Sequence, residues 1–316
     1  MFRRLPFGSV PGWVPICHDT NDPRTVEDSL RQRLMRDVPK ACTRELAELR
    51  QFVDRFLEEH IAKVNPMSFE EWLGSTTYNE ERKKQLRKEN ELLAGSWPTM
   101  KKCQRIDAFG KTEFYPTSKQ MRMICSRSDA FKAFAGRFIK SVEKEVYKLA
   151  YFIKKVPVTD RPALIRGLRN KGCRYFVTDY TAFEASFVRE VQDAVENRLL
   201  LHCLGDHDEG AFIVGVNRGL NNIRTRTNVR ARMMAGRMSG DLWTSLNNGF
   251  TNLMLTLYAA HKSGGTVDGY VEGDDGIFAT NFALDPSFYE RLGFTIKIDE
   301  IADPCVGSFC GLIFSD

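Results

Sequence analysis

Tyr270-Val-Glu-Gly-Asp-Asp-Gly-Ile-Phe-Ala279 constrains this chain more than any other stretch. Two short β-prone arms flank a Gly-Asp-Asp-Gly centre, the pattern of a tight hairpin with two carboxylates at its tip. An earlier run, Arg174-Tyr-Phe-Val-Thr-Asp179, is rich in aromatic and β-branched residues and also ends in a carboxylate. If both lie in one sheet, Asp179, Asp274 and Asp275 meet on rigid supports. A lone Asp-Asp pair says little, because most such pairs occupy surface turns.

The rest of the pattern gives the sheet its cover. Apolar residues recur at helical spacing from Val26 to Ala62, through Leu30, Leu34, Val38, Leu46, Leu49, Phe52, Val53 and Phe56, which predicts two helices in a packed N-terminal extension. Tyr78 to Leu93 reads as a charged helix, Ile106 to Ser126 as strand-loop-strand, and Phe131 to Val156 as a lysine-rich helix. Phe187 to Leu201 is predicted as one amphipathic helix through Phe187, Val191, Val195 and Leu199, and Ser239 to Ala260 as another. Strand, helix, helix and hairpin in that order predict a mixed α+β sheet covered by helices. No repeat or low-complexity tract interrupts it, so the chain reads as one continuous unit.

With 316 residues, 42% of them hydrophobic, the chain has material for a large core and two or three subdomains. No run approaches the roughly 18 to 20 apolar residues of a membrane span, and Met1-Phe2-Arg3-Arg4 lacks the apolar segment of a secretory signal. The eight cysteines form no C-x-x-C pair and are read as reduced intracellular thiols. The net charge of +5 conceals a segregation: residues 101–174 carry +13, residues 175–209 carry −6, residues 210–240 carry +6 and residues 241–316 carry −8. Acidic blocks brought together between basic ones would form a carboxylate site walled by cations, suited to polyphosphate handled through divalent metals. Ordinary solvated charge is the alternative that composition leaves open.

Three ordered motifs decide between them. Asp179-Tyr-Thr-Ala-Phe-Glu184-Ala-Ser, Arg237-Met-Ser-Gly-Asp-Leu-Trp-Thr244-Ser-Leu-Asn-Asn248 and Glu272-Gly-Asp-Asp275 resemble the first three palm motifs of the RNA-dependent RNA polymerases of positive-strand RNA viruses, most closely the tombusvirus-like group. The resemblance runs over roughly residues 100 to 314. Leu292-Gly-Phe-Thr-Ile-Lys297 is similar to the fourth motif and Phe309-Cys-Gly-Leu-Ile-Phe314 to the start of the fifth. Upstream, Phe109-Gly-Lys111-Thr-Glu113 and Lys119-Gln-Met-Arg122-Met-Ile-Cys-Ser-Arg127 resemble the basic fingers motif above the nucleotide channel.

The resemblance implies an α+β right-hand polymerase, with an antiparallel palm sheet of the RNA-recognition-motif type under helices and mostly helical fingers. It divides the chain into an N-terminal extension and outer fingers (1–99), fingers with the basic motif (100–170), palm (171–204), returning fingers (205–236) and palm again (237–316), stopping before a thumb. That stop is expected to leave Leu312, Ile313 and Phe314 exposed. The implied activity is template-directed RNA synthesis with two Mg²⁺ or Mn²⁺ ions held by Asp179, Asp274 and Asp275, and with Lys297 protonating the leaving pyrophosphate. The implied partners are RNA template and product, nucleoside triphosphates and other viral replication proteins. The implied place is the host cytoplasm, including membrane-associated replication complexes.

Each motif also has a reading of its own. Lys111, Lys119 and Arg122 would form a cationic track for a triphosphate. Ser239-Gly240 reads as a capped helix start that lets a template backbone approach. Thr244 and Asn248, four residues apart, share a helix face that could read a ribose hydroxyl. Glu184 stands where the family usually has aspartate, so its hydrogen bond to ribose or to Asn248 must be rebuilt around an added methylene. Reverse transcriptase and a catalytically idle RNA-binding factor are the rival readings; Gly273 and the Thr244/Asn248 face oppose the first, the intact aspartates the second. His202, Cys203 and His207 match no zinc-site spacing, Cys305 and Cys310 read as core thiols, and the aromatic run from Phe131 to Tyr151 reads as core.

Overall fold

The computed structural model describes residues 16–115 and 119–313. After a two-residue strand β1 (Ile16–Cys17) come helices α1 (Pro23–Leu34), α2 (Thr43–His60), α3 (Phe69–Gly74), α4 (Glu80–Leu93) and α5 (Met100–Cys103). Strands β2 (Arg105–Gly110), β3 (Phe114–Tyr115) and β4 (Met123–Arg127) lead into α6 (Asp129–Val146) and α7 (Arg161–Gly167). Then follow β5 (Arg174–Tyr180), α8 (Arg189–Ala194), α9 (Glu196–Leu204), α10 (Asp208–Arg218), β6 (Leu220–Thr225) and β7 (Arg230–Met234). The long helix α11 (Thr244–Ser263) precedes the hairpin β8 (Val267–Glu272) and β9 (Asp275–Thr280), α12 (Pro286–Arg291), β10 (Ile296–Ile301), β11 (Ser308–Phe309) and β12 (Leu312–Ile313).

Two four-stranded sheets organise these elements. The first, in the order β10-β5-β9-β8, is antiparallel throughout. Alternation along β5 feeds two cores. Phe176 and Tyr180 join the large cluster that holds Phe250, Tyr258, Leu49 and Val53, while Tyr175 and Val177 face Ile165, Leu168 and Phe309 on the other side. The second sheet, in the order β4-β2-β6-β7, is antiparallel except between β2 and β6. One of its faces packs Ile106, Ala108, Met123, Cys125 and Ile223 on Val26, Leu30 and Leu34 of α1. The mixed helix and antiparallel-sheet architecture expected from the sequence is therefore present.

Several boundaries differ from the sequence reading. The helix expected from Phe187 to Leu201 is two helices, broken at Val195 (φ −124°, ψ −77°). The break keeps Val191, Val195 and Leu199 in the core while turning Glu196 fully inward, where Arg237 and Asn217 bind it. The helix expected from Ser239 starts only at Thr244, with Trp243 at its N-cap. Ser239 and Gly240 instead dock on β4: the Ser239 hydroxyl donates to the Met123 carbonyl at 2.6 Å and the Gly240 N–H to the Cys125 carbonyl at 2.9 Å. A Cβ on Gly240 would stand 2.9 Å from that same oxygen, so the close approach requires glycine. The lysine-rich helix ends at Val146, and a short 3-10 turn, Ile153–Lys155, follows.

Phe131, Phe134, Phe138 and Tyr147 are core residues, as read from the sequence. Leu312 is half-buried against the Phe309 cluster; the Ile313 side chain and Phe314 lie outside the described residues. All eight cysteines are free thiols. Among the described residues no helix is long and apolar enough to cross a membrane.

Candidate active site

The hairpin fixes the carboxylates. Glu272 pairs with Asp275 across it, and Gly273 takes φ +64° to close the turn, a conformation glycine adopts without steric cost. β9 pairs with β5 through Thr178 and Gly276, so one further step of that register sets Asp179 opposite Asp275. On the other side of β5, Asp179 pairs with Lys297 of β10. A cleft of about 690 Å³ opens above them, lined among others by Arg33, Arg122, Asp179, Glu184, Ser239, Thr244, Asn248, Glu272 and Asp274. A more apolar groove of about 770 Å³, beside Leu46 and Ala194, holds none of these groups.

Burial raises all three aspartates, and repulsion from their neighbours in the cleft adds to it at Asp274 and Asp275. Desolvation raises Asp179, although Lys297 and Lys119 oppose it. It raises Asp274 as well, with Glu184 and Asp179 adding repulsion. Asp275 is pushed up to about 6, first by burial and then by Asp274, Asp179 and Glu272. Carboxylates that repel one another this way are hard oxygen donors short of positive charge, which fits Mg²⁺ or Mn²⁺ in donor type. Among the described residues, however, no three acidic, histidine or cysteine side chains are close enough to form a ready cage.

The cations expected along the triphosphate separate. Arg122 lines the cleft and acts on Asp274, and Lys119 acts electrostatically on Asp179. Lys111 does not reach the cleft; its ammonium pairs with Glu113, which also holds Arg122 at 3.5 Å. Both side chains come from strand ends facing one glutamate, and of the two only Arg122 lines the cleft. Lys297 is exposed and pairs with Asp299, which raises its pKa.

The expected bond between Glu184 and Asn248 is not formed. Arg33 Nη2 donates to Glu184 Oε1 at 3.3 Å, and Arg237 Nε donates to Asn248 Oδ1 at 2.9 Å. The longer glutamate reaches helix α1 instead of α11. Thr244 is likewise engaged, its hydroxyl donating to the carbonyls of Met238 at 2.8 Å and Asp241 at 3.1 Å. Among the described residues, that leaves the Asn248 amide nitrogen without a partner at the cleft, beside Ser245, whose hydroxyl accepts from Lys154.

Four supporting residues escaped the sequence reading. Asn252, fully buried, donates from Nδ2 to the carbonyls of Gly273, Asp274 and Asp275 at 3.4, 3.1 and 3.0 Å, tying the hairpin turn to α11. Its place four residues after Asn248 was the available signal. Arg237 lies wholly buried over the Phe187 ring at 4.2 Å and pairs with Glu196, which sits in a network with Asn217. Arg127 clamps Asp241 with two bonds, Nε to Oδ1 at 3.0 Å and Nη2 to Oδ2 at 2.9 Å, pinning the segment before α11 to β4. Arg33 comes from a helix 151 residues distant in sequence and carried no local signal. His202, set aside as a zinc ligand, bonds through Nε2 with the Ile61 carbonyl at 2.8 Å.

Residues 129–314 match the family model described as viral RNA-dependent RNA polymerase. That span includes every carboxylate of the cleft and leaves out Arg33, Lys111, Lys119 and Arg122. No curated protein matches the chain.

Proposed function

The chain belongs to the viral RNA-dependent RNA polymerase family, and from that premise we propose that it performs template-directed RNA synthesis by nucleotidyl transfer, with Asp179 and Asp274 as metal ligands and Asp275 assisting. The observation that carries this reading is convergence: residues 33, 122, 179, 184, 239, 248 and 274, scattered through the sequence, line one cleft.

In the reaction a 3′ hydroxyl oxygen bonds to the α-phosphorus of a nucleoside triphosphate as the bond to the β-phosphate oxygen breaks and pyrophosphate leaves. Two divalent ions would neutralise the phosphates and lower the pKa of the attacking hydroxyl. The protein's own part is placement. β5 and the hairpin hold the carboxylates rigidly, with Asn252 fixing the turn. Arg122 and Lys119 draw the triphosphate in. Lys297, kept protonated by Asp299, exchanges that partner for the leaving pyrophosphate and gives up its proton. The Asn248 amide, oriented by Arg237, donates to the ribose 2′ hydroxyl.

By the same reading, residues 171–204 and 237–313 build the palm around the β10-β5-β9-β8 sheet. Residues 100–170 and 205–236 build fingers around the β4-β2-β6-β7 sheet, which draws two strands from each segment.

The test is incorporation of labelled nucleotides on homopolymer RNA with Mg²⁺ or Mn²⁺. The reading requires that only the complementary ribonucleotide enters product. Incorporation without regard to template, or of deoxynucleotides alone, would overturn it.

A further inference from the structure

Glu272 is a carboxylate of the cleft to which the proposed reaction gives no part. It stands just before the Gly273 turn and lies directly opposite Asp275 on the β8-β9 ladder. Residues paired in this way carry their side chains on one face of the sheet. Glu272 lines the cleft and is near enough to Asp275 to repel it. A hard oxygen donor so placed is able to bind a divalent cation beside its neighbours.

Arg161 engages it instead. The guanidinium, only 8% exposed, donates from Nη1 to Glu272 Oε2 at 3.0 Å and from Nε to the Val156 carbonyl at 3.2 Å. Bonds from two sides of the planar fork fix its orientation as well as its charge. Its supports are themselves anchored. The Val271 N–H donates to the Tyr151 carbonyl at 2.8 Å and Phe152 bridges to Val271, so the segment leading to Val156 runs along the outer edge of β8. Arg161 begins α7, which is held by Ile165 in the cluster of Ile277, Ala279 and Phe309. Among the described residues Glu272 is the acid that pairs with Arg161. A guanidinium buried this deeply needs its countercharge, and that need keeps the carboxylate engaged.

We propose that Arg161 is a positioning residue for nucleotidyl transfer: it holds the Glu272 carboxylate out of the metal site, so that divalent ions rest on Asp179, Asp274 and Asp275. The inference rests on the polymerase reading for the reaction, whereas the hold on Glu272 stands on the geometry. Two-metal transfer needs ions with enough uncompensated charge to polarise the attacking and leaving oxygens. A further carboxylate would add a ligand and neutralise part of that charge, tightening binding while weakening the chemistry.

The test titrates Mn²⁺ alone into the protein, with free Mn²⁺ read by electron paramagnetic resonance, and measures nucleotide incorporation separately. Arg161→Gln should tighten Mn²⁺ binding roughly tenfold and lower kcat by about 10- to 100-fold, with KM for nucleotide little changed. Adding Glu272→Gln to that variant should return Mn²⁺ affinity to near the wild-type value and recover much of kcat. Adding Glu272→Asp instead keeps the charge on a shorter arm, and most of the gain in affinity should go. Arg161→Lys, which keeps a paired cation on a less oriented arm, should lie between wild type and Arg161→Gln, and it carries the comparison if Arg161→Gln does not fold. Mn²⁺ affinity that ignores Arg161 overturns the hold and leaves the residue to packing. A gain that the Asp variant keeps in full also overturns it, in favour of a simple effect of charge. Either result in a protein that incorporates nucleotides rejects the hold alone. The expected Mn²⁺ pattern in a protein that incorporates nothing keeps the hold and rejects the polymerase reading.

Discussion

Glu184 is held by Arg33 at 3.3 Å and turned away from Asn248, although both carboxylate and amide line the same cleft. Helix α1 thus sets the position of a side chain in the segment that follows β5.

Under the proposed function, that geometry makes Asn248 the reader of the ribose hydroxyl. Asn248→Ala removes a donor worth roughly 1 to 3 kcal/mol, so the preference for ribonucleotides over deoxynucleotides should narrow by about one to two decades in kcat/KM. Arg33→Ala frees Glu184 and should narrow it less. Glu184→Asp, too short to keep Arg33, should behave like Arg33→Ala. An unchanged ratio in all three variants would mean that the hydroxyl is read elsewhere.

Asn252 should act through the hairpin. Asn252→Ala removes the donor shared by three turn carbonyls, and kcat should drop while KM for nucleotide stays near its original value. A fall in stability with kcat preserved would limit Asn252 to packing.

The buried Arg237–Glu196 pair is expected to matter for both folding and the site. Glu196→Gln leaves a fully buried guanidinium without its countercharge, which costs about 3 to 5 kcal/mol. Urea unfolding measures this, and a change within about 0.5 kcal/mol would contradict the pairing.

Cations near the triphosphate should differ in effect. Arg122→Ala should raise the apparent KM for nucleoside triphosphate, whereas Lys111→Ala, whose partner is Glu113, should change it far less. Equal increases would return Lys111 to the triphosphate path.

Asp275 makes stability depend on pH. Its folded pKa of about 6 lies above the ordinary 3.8, so its contribution is fully present below about pH 4 and is lost as pH rises through about 6. A divalent cation bound near it would offset that loss. Mg²⁺ should therefore raise Tm at about pH 7.5 and lose the effect near about pH 5. An equal rise at both pH values would contradict the assignment.

Much of the fold was legible because its signals are local. The alternation in β5, the Gly273 turn and the apolar spacing of α2 each depend on a few neighbouring residues. The same holds for the carboxylates, whose strand-end positions imply their meeting. What remained hidden was tertiary. The break at Val195 exists to send Glu196 to Arg237, and the late start of α11 exists because Gly240 must touch β4. Arg33 and Arg237 were invisible as site residues because their partners lie far away in sequence or on another element. The Lys111–Glu113 pair was hidden as well, because nothing in the sequence says which cation a nearby glutamate takes.

Whether this cleft joins nucleotides through its carboxylates is decided by incorporation of labelled nucleotide on RNA template with Mg²⁺, comparing wild type, Asp274→Ala and Asp275→Ala. Wild type should give template-dependent product, Asp274→Ala none despite near-normal RNA binding, and Asp275→Ala partial activity. Comparable incorporation by wild type and Asp274→Ala would contradict it.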